Sequence, residues 1–118
     1  MKSEKKMNLE RLDAFGANTK EGLARCMNDE PLYLRLVAMT LEDGNFEKLR
    51  SAMEAGDANG AFNAAHALKG AAGNVALTPL YEPLCELTEL LRGKSSPVEG
   101  GEELLEEILV QREKALSL

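Results

Sequence analysis

The sequence lacks tryptophan and has few aromatic side chains, and this deficit bears on the fold class. Aromatic residues make up 4% of the 118 residues, whereas the hydrophobic residues as a whole reach 44%. Aliphatic residues, alanine and methionine therefore supply nearly all the apolar surface, a composition that suits helix-on-helix packing better than a β-sandwich. At this length there is room for one buried core, so we predict a single all-α domain over residues 1–118.

Basic charge and long apolar runs are also scarce. The formal net charge of −6 disfavours a nucleic-acid binder, which needs a concentrated basic surface. The lysines at positions 2, 5 and 6 read as part of a flexible tail over residues 1–7. No apolar run reaches membrane-spanning length, and the segment after those lysines is already amphipathic rather than a signal sequence. We expect a protein of the cytoplasm that binds no membrane.

Cysteine pairs and histidine clusters are missing as well. Cys26 and Cys85 stand far apart without a CxxC spacing, and the chain has one histidine. This pattern favours neither a disulfide nor a zinc site. We predict instead that both cysteines are free, buried thiols.

Breaker residues divide the chain into helical segments. Asn18 or Thr19, Asp29 and Asp57 are predicted to cap helices, and Pro31 and Pro79 are predicted to lie in first turns. The cluster at 42–45 predicts either a bend or a junction of two helices, and residues 93–101 form the clearest loop. The predicted helices cover residues 8–15, 18–28, 31–41, 46–55, 58–75 and 78–92, with a last one marked by Leu104 to Leu116.

The segment 58–75 separates its residues into two faces on a helical wheel at about 100° per residue. One arc is apolar and is predicted to face the core; it holds Ala61, Ala64, Leu68, Ala71, Ala72 and Val75. His66 lies almost opposite that arc, which argues against the common case of a histidine that serves the core. Around it, at helical-neighbour spacings, stand Phe62, Lys69, Gly70 and Gly73.

The glycines near His66 are unexpected in a helix, because each lowers the stability of the helix by about 1 kcal/mol relative to alanine. Gly70 lies one turn from His66, where its missing side chain would clear a path to the imidazole for a group on another protein. Lys69 would place a cation beside a phosphoryl group attached there, although a lysine alone is more often a solvated surface residue.

An imidazole is partly neutral and nucleophilic at neutral pH, so it can accept a phosphoryl group without a dedicated base. The sequence has no Walker-type loop, no kinase signature and no Gly-x-Ser-x-Gly motif. These absences favour a phosphocarrier with no ATP site of its own over an enzyme.

The run from Ala65 to Ala76, AHALKGAAGNVA, resembles the His-x-Leu-Lys-Gly motif of histidine-containing phosphotransfer (HPt) domains, and the similarity extends from about residue 18 to residue 116. The resemblance implies an antiparallel up-down four-helix bundle, here with short N-terminal helices. It also implies that His66 is the phosphoacceptor, supported by Lys69 and Gly70. In such a relay the histidine takes the group from an aspartyl phosphate of one receiver domain and passes it to another.

The partners implied are response-regulator receiver domains, with a hybrid histidine kinase as a further candidate. The receiver is expected to supply Mg²⁺, so that this chain needs no cofactor. Phe62 is the candidate docking anchor, with Asn63 and Gly73 allowing close approach, although Phe62 could equally fold over a neighbouring helix edge. We expect a monomer.

Two alternatives stay open: a helical interaction module that regulates a kinase or receiver without transferring phosphate, and a detached segment of a chemotaxis-type histidine kinase. Two positions also depart from expectation. Ala76 stands where the family usually has glycine, which bears on the local turn. Pro83 removes a backbone hydrogen bond from its helix and predicts a small bend or a delayed helix start.

Overall fold

A computed structural model describes residues 7–95 and 99–118, and these residues form seven α-helices without a strand. Most of the predicted N-terminal tail, residues 1–6, and residues 96–98 of the predicted loop lie outside the described part. The helices are α1 (Leu9–Phe15), α2 (Thr19–Arg25), α3 (Glu30–Leu41), α4 (Asn45–Ala55), α5 (Ala58–Asn74), α6 (Thr78–Leu91) and α7 (Gly101–Leu116).

Short polar side chains begin four of these helices, because each accepts a hydrogen bond from a backbone N–H that the first turn leaves unpaired. Asn18 caps α2 through Glu21 N, Asp29 caps α3 through Leu32 N, and Asp57 caps α5 through Gly60 N. Asn8 caps α1 in the same way. The predicted caps of α3 and α5 are confirmed, and of the two candidates for α2 the cap is Asn18.

Helices α4 to α7 form the bundle. Helix α5 packs between α4 and α6, α7 packs on α6, and α7 also touches α3 and α4, which closes the ring. Helix α1 touches α2 and α7, and α2 touches α3. The start of α2 is tied to the bundle by a hydrogen bond from Asn18 N to Ala76 O of 2.9 Å. The all-helical bundle with short N-terminal helices is as predicted.

The face of α5 predicted to meet the core is buried. Leu68 and Ala61 are fully buried, and Ala64, Ala72 and Val75 are nearly so, whereas Ala71 is half-buried. The small alanine side chains let neighbouring helices approach α5 closely, while leucines of α6 fill the space between them: Leu80, Leu84, Leu87 and Leu91. The opposite face of α5 is left to solvent.

Three details of the helix boundaries differ from or refine the sequence predictions. Helix α2 ends at Arg25 rather than near residue 28, because Met27 and Asn28 adopt left-handed conformations with φ of 55° and 59°. The breaker cluster separates two helices, α3 and α4. Helix α6 begins at Thr78 without delay although Pro83 lies inside it, since the backbone N–H groups of Leu80 and Tyr81 already bond to Leu77 O.

Tyr33 of α3 is the largest fully buried side chain. Its hydroxyl donates a hydrogen bond of 2.9 Å to Val75 O, just beyond the end of α5. The ring packs on Gly22 of α2, where even a Cβ would overlap it. Burial, with a smaller contribution from Asp13, raises the pKa of Tyr33 to about 12.

This raised pKa predicts a loss of stability at alkaline pH. An unfolded tyrosine ionises near pH 10. The unfolded state therefore releases this proton first, and the stability due to neutral Tyr33 is present below about pH 10 and is lost as the pH rises to about 12. Urea unfolding at a series of pH values should show a steeper fall for the wild type than for Tyr33→Phe. Tyr81→Phe removes an exposed tyrosine whose pKa is also raised, so it should keep most, though not all, of the steep fall. Equal slopes in the wild type and Tyr33→Phe would contradict the assignment.

Candidate functional site

His66 lies near the middle of α5, on the face turned away from the core, and its side chain is exposed. The buried residues on the other side of α5 fix the rotation of the helix about its axis. His66 must therefore point outward. The Phe62 ring lies one turn earlier, with the two ring centroids 5.7 Å apart and the planes tilted by 32°. The imidazole is thus steadied on one side and open to solvent on the other.

The two glycines that follow His66 have different surroundings. A Cβ built on Gly70 would meet no described atom within 4 Å beyond its own helix, so the space beside His66 is open. A Cβ on Gly73 would lie 2.9 Å from Cε1 of Tyr81, so Gly73 makes room for a side chain of α6. The close approach that was expected from a partner at Gly73 is therefore already made within the chain, whereas at Gly70 nothing fills the space.

Helix α6 and the residue that ends it, Arg92, add two charged side chains to the site. The Arg92 guanidinium carbon lies 5.2 Å from the centroid of the Phe62 ring, a cation–π arrangement. Arg92 also pairs with Glu89 through two hydrogen bonds, Nε to Oε1 at 3.2 Å and Nη2 to Oε2 at 2.8 Å. Phe62 is half-buried between His66 and Arg92, and its ring packs against the core. This agrees with the interpretation that Phe62 folds over the edge of a neighbouring helix.

Lys69 and Gly70 lie at the edge of an open groove of about 480 Å³ between α2, α5 and α6. Arg25 of α2 lines the other side and donates a hydrogen bond of 2.6 Å to Gly73 O, while its second nitrogen pairs with Glu21 at 2.6 Å. Tyr81 closes the groove on the α6 side. The walls of the groove thus carry Lys69 and the ion pair of Arg25 with Glu21.

The structure brings together Phe62, His66, Lys69 and Gly70 on one face of α5, and leaves Asn63 exposed beside them. The sequence predictions missed Glu89 of α6 and Arg92, which caps its C-terminal end. Their spacing of three residues gave a signal, since it allows an ion pair on one helix face. What the sequence could not supply is the register that sets this pair beside α5.

The described residues hold no group of three or more His, Cys, Asp or Glu side chains that could bind a metal ion. Cys26 is buried and Cys85 is half-buried, and both are free thiols. The neighbouring Cys85 thiol raises the pKa of the Tyr81 hydroxyl. Among the helices described, none is both long enough and apolar enough to span a membrane.

Ala76 adopts a left-handed conformation with φ of 57° at the turn between α5 and α6. The turn that the family's glycine would make is thus kept by alanine. Left-handed backbone costs an L-residue about 1–2 kcal/mol. We expect Ala76→Gly to stabilise the protein by about 0.5–1 kcal/mol in urea unfolding, after the greater freedom of glycine in the unfolded chain is subtracted.

A matched control for that variant is Ala67→Gly, at an exposed position inside α5. There glycine should destabilise the protein by about 1 kcal/mol, because helical backbone favours alanine. Destabilisation by both substitutions would show that the left-handed turn at Ala76 carries no strain.

The comparisons with known proteins agree with the geometry. The model of the Hpt domain family matches residues 34–117, which contain α4 to α7 and all but the first four residues of α3. Searches of the curated proteins and of the solved structures give no match. Because the family match covers most of the chain and includes the helix that carries His66, the chain belongs to the Hpt domain family, whose members are phosphocarrier modules of two-component signalling.

Proposed function

We propose that His66 accepts a phosphoryl group from the aspartyl phosphate of one receiver domain and passes it to the aspartate of a second. The observation that carries the proposal is the exposed imidazole beside open space at Gly70, on a helix whose opposite face is fully committed to the core. A receiver could bring its phosphorylated aspartate to His66 without displacing any part of the bundle.

The chemical step needs little from this chain beyond position. A lone pair on one ring nitrogen of His66 attacks phosphorus, the bond from phosphorus to the aspartyl oxygen breaks, and the receiver regains a free carboxylate. The second ring nitrogen keeps its proton. The reverse sequence delivers the group to the next receiver. Catalysis in such a transfer is mainly in-line placement and stabilisation of charge on the phosphoryl oxygens.

We assign supporting roles to the neighbours of His66 in the same proposal. Lys69 offers a cation to the phosphoryl oxygens, and Gly70 leaves the approach clear. Phe62 and Asn63 border the docking surface, and Gly73 supports it indirectly by seating Tyr81. The Mg²⁺ that neutralises the phosphoryl group is assigned to the receiver, and the protein is proposed to act as a single-domain monomer without a cofactor. The cytoplasmic location stays a prediction.

The test uses receiver domains from the same organism, each phosphorylated with radiolabelled acetyl phosphate and Mg²⁺ and then freed of the donor. Mixed with this protein, at least one should transfer label to it within minutes, and the label should be stable to alkali and labile to acid, as expected for a phosphorus–nitrogen bond. Binding of a receiver without any transfer of label would favour the non-transferring interaction module instead.

A further inference from the structure

The register between α5 and α6 places an acidic side chain at the level of His66. Gly73 meets Tyr81 near one end of the helix pair, and Phe62 meets Arg92 near the other. The two helices are therefore antiparallel, and His66, one turn after Phe62, lies opposite positions 88 and 89, one turn before Arg92. Thr88 is buried, so Glu89 is the exposed residue at that level. A carboxylate at the level of a phosphoacceptor needs a reason, because it repels the incoming phosphoryl group.

Glu89 is held by Arg92. The two hydrogen bonds between the guanidinium and the carboxylate form a fork that fixes both side chains, although each is more than half exposed at 53% for Arg92 and 63% for Glu89. Arg92 is separated from His66 by one aromatic ring: its guanidinium carbon is 5.2 Å from the Phe62 centroid, which is 5.7 Å from the His66 centroid.

Lys69 acts on the same carboxylate. The hydrogen bonds and charge of Arg92 lower the pKa of Glu89, and the charge of Lys69 lowers it further. Lys69, one turn after His66, and Arg92, on the other side of the Phe62 ring, therefore act on one anion. A phosphoryl group on His66 carries close to two negative charges and three acceptor oxygens, so it competes with Glu89 for both cations.

We propose that Glu89 is a displaceable counter-ion of the phosphorylation site: it holds Arg92 on the Phe62 ring, next to the vacant imidazole, and yields it when His66 is phosphorylated. Glu89 then sets how strongly the protein retains the phosphoryl group. With both cations free, the protein would retain the phosphoryl group more strongly. The Glu89 carboxylate competes for these cations and so lowers that retention. This role rests on the proposed phosphotransfer function and assigns Glu89 as a positioning residue that acts through Arg92.

The measurable consequence is a shift in the equilibrium of phosphoryl exchange with the receiver that labels the wild type. Glu89→Gln should move the equilibrium toward phosphorylated His66 by about two- to fivefold, the range expected for one exposed ion pair. Arg92→Gln should move it the opposite way. Glu86→Gln is the matched control, since Glu86 is exposed one turn earlier on α6 and the change removes the same charge.

The double variant Glu89→Gln with Arg92→Gln separates competition from simple repulsion. If Glu89 acts through Arg92, removing Glu89 in the Arg92→Gln background should change the equilibrium much less than it does in the wild type. An effect of Glu89→Gln equal to that of Glu86→Gln, or equal in both backgrounds, would overturn the proposal while leaving phosphotransfer by His66 intact.

A second measurement needs no receiver. Phosphoramidate can phosphorylate an exposed imidazole directly, and the Nε resonance of Arg92, assigned by its loss in Arg92→Lys, reports the partner of the guanidinium. Phosphorylation of the wild type should shift this resonance, because Arg92 Nε then loses its hydrogen bond to Glu89. In Glu89→Gln, which lacks the carboxylate, the shift on phosphorylation should be much smaller. A resonance that does not move on phosphorylation would refute the exchange of partners, whatever the receivers do.

Discussion

Replacing His66 by glutamine should reduce phosphoryl uptake from a phosphorylated receiver to background, while the fold and its stability stay almost unchanged. Glutamine has an amide in place of a nucleophilic ring nitrogen, so it cannot form the phosphorus–nitrogen bond. His66 is exposed and buries no part of the core, and substitutions at such positions usually change the free energy of unfolding by less than about 0.5 kcal/mol. Radiolabel transfer and urea unfolding, measured on the same preparation, check both halves of the prediction.

The control is Glu106→Gln, which introduces the same residue at an exposed position of α7, away from α5. It should take up label at the wild-type rate. Uptake of label by the His66→Gln protein would mean that another residue carries the phosphoryl group. Loss of uptake in a variant that is also unfolded would not test the role of His66. Circular dichroism of each preparation distinguishes these cases.

Replacing Gly70 by leucine should slow transfer by about a hundredfold and yet make the protein more stable. Leucine is favoured over glycine inside a helix by nearly 1 kcal/mol. Gly70 is exposed and a Cβ added there meets nothing within 4 Å, so we expect the fold to accept the substitution. The added side chain would stand between His66 and the incoming aspartyl phosphate, and a displacement of about 1 Å from the reactive geometry costs on the order of a hundredfold in rate.

Opposite signs for stability and transfer are what make this second prediction informative. Gly70→Ala should gain similar stability with a smaller loss of rate, because its side chain ends at Cβ. Ser51→Leu, which adds an exposed leucine to α4, should leave the transfer rate unchanged. Normal transfer by Gly70→Leu would mean that no partner approaches His66 over Gly70. Lower stability of that variant would mean that the glycine serves the fold.

Much of the fold follows from local signals in the sequence. The side-chain caps at Asn18, Asp29 and Asp57 mark where helices start, because a helix leaves its first N–H groups unpaired and short polar residues can satisfy them. The apolar arc of α5 is equally local, since a period of 3.6 residues decides which side chains share a face. The outward direction of His66 comes from this same arc, and so could be predicted before the structure.

What could not be predicted depends on how one helix is set against another. The spacing of Glu89 and Arg92 was visible, but their place beside Phe62 and His66 depends on the register of α6 against α5. Gly73 illustrates the same limit: its missing side chain was interpreted as space for a partner, whereas Tyr81 of the same chain occupies that space. The shorter α2 has a different cause, namely the left-handed backbone at Met27 and Asn28. Asparagine tolerates this conformation, so Asn28 gave a signal that the prediction did not use, whereas Met27 gave none.

The central claim is that His66 carries the phosphoryl group. Because the chain has one histidine, the two ring nitrogens of His66 can be observed without overlap from another imidazole. Untagged protein labelled with ¹⁵N only in histidine shows one imidazole, and its two ring resonances can be followed while a phosphorylated receiver is added. We predict that one ring nitrogen shifts and acquires a one-bond coupling to ³¹P as radiolabel enters the protein. Label that enters while both ring resonances stay unchanged would contradict the account.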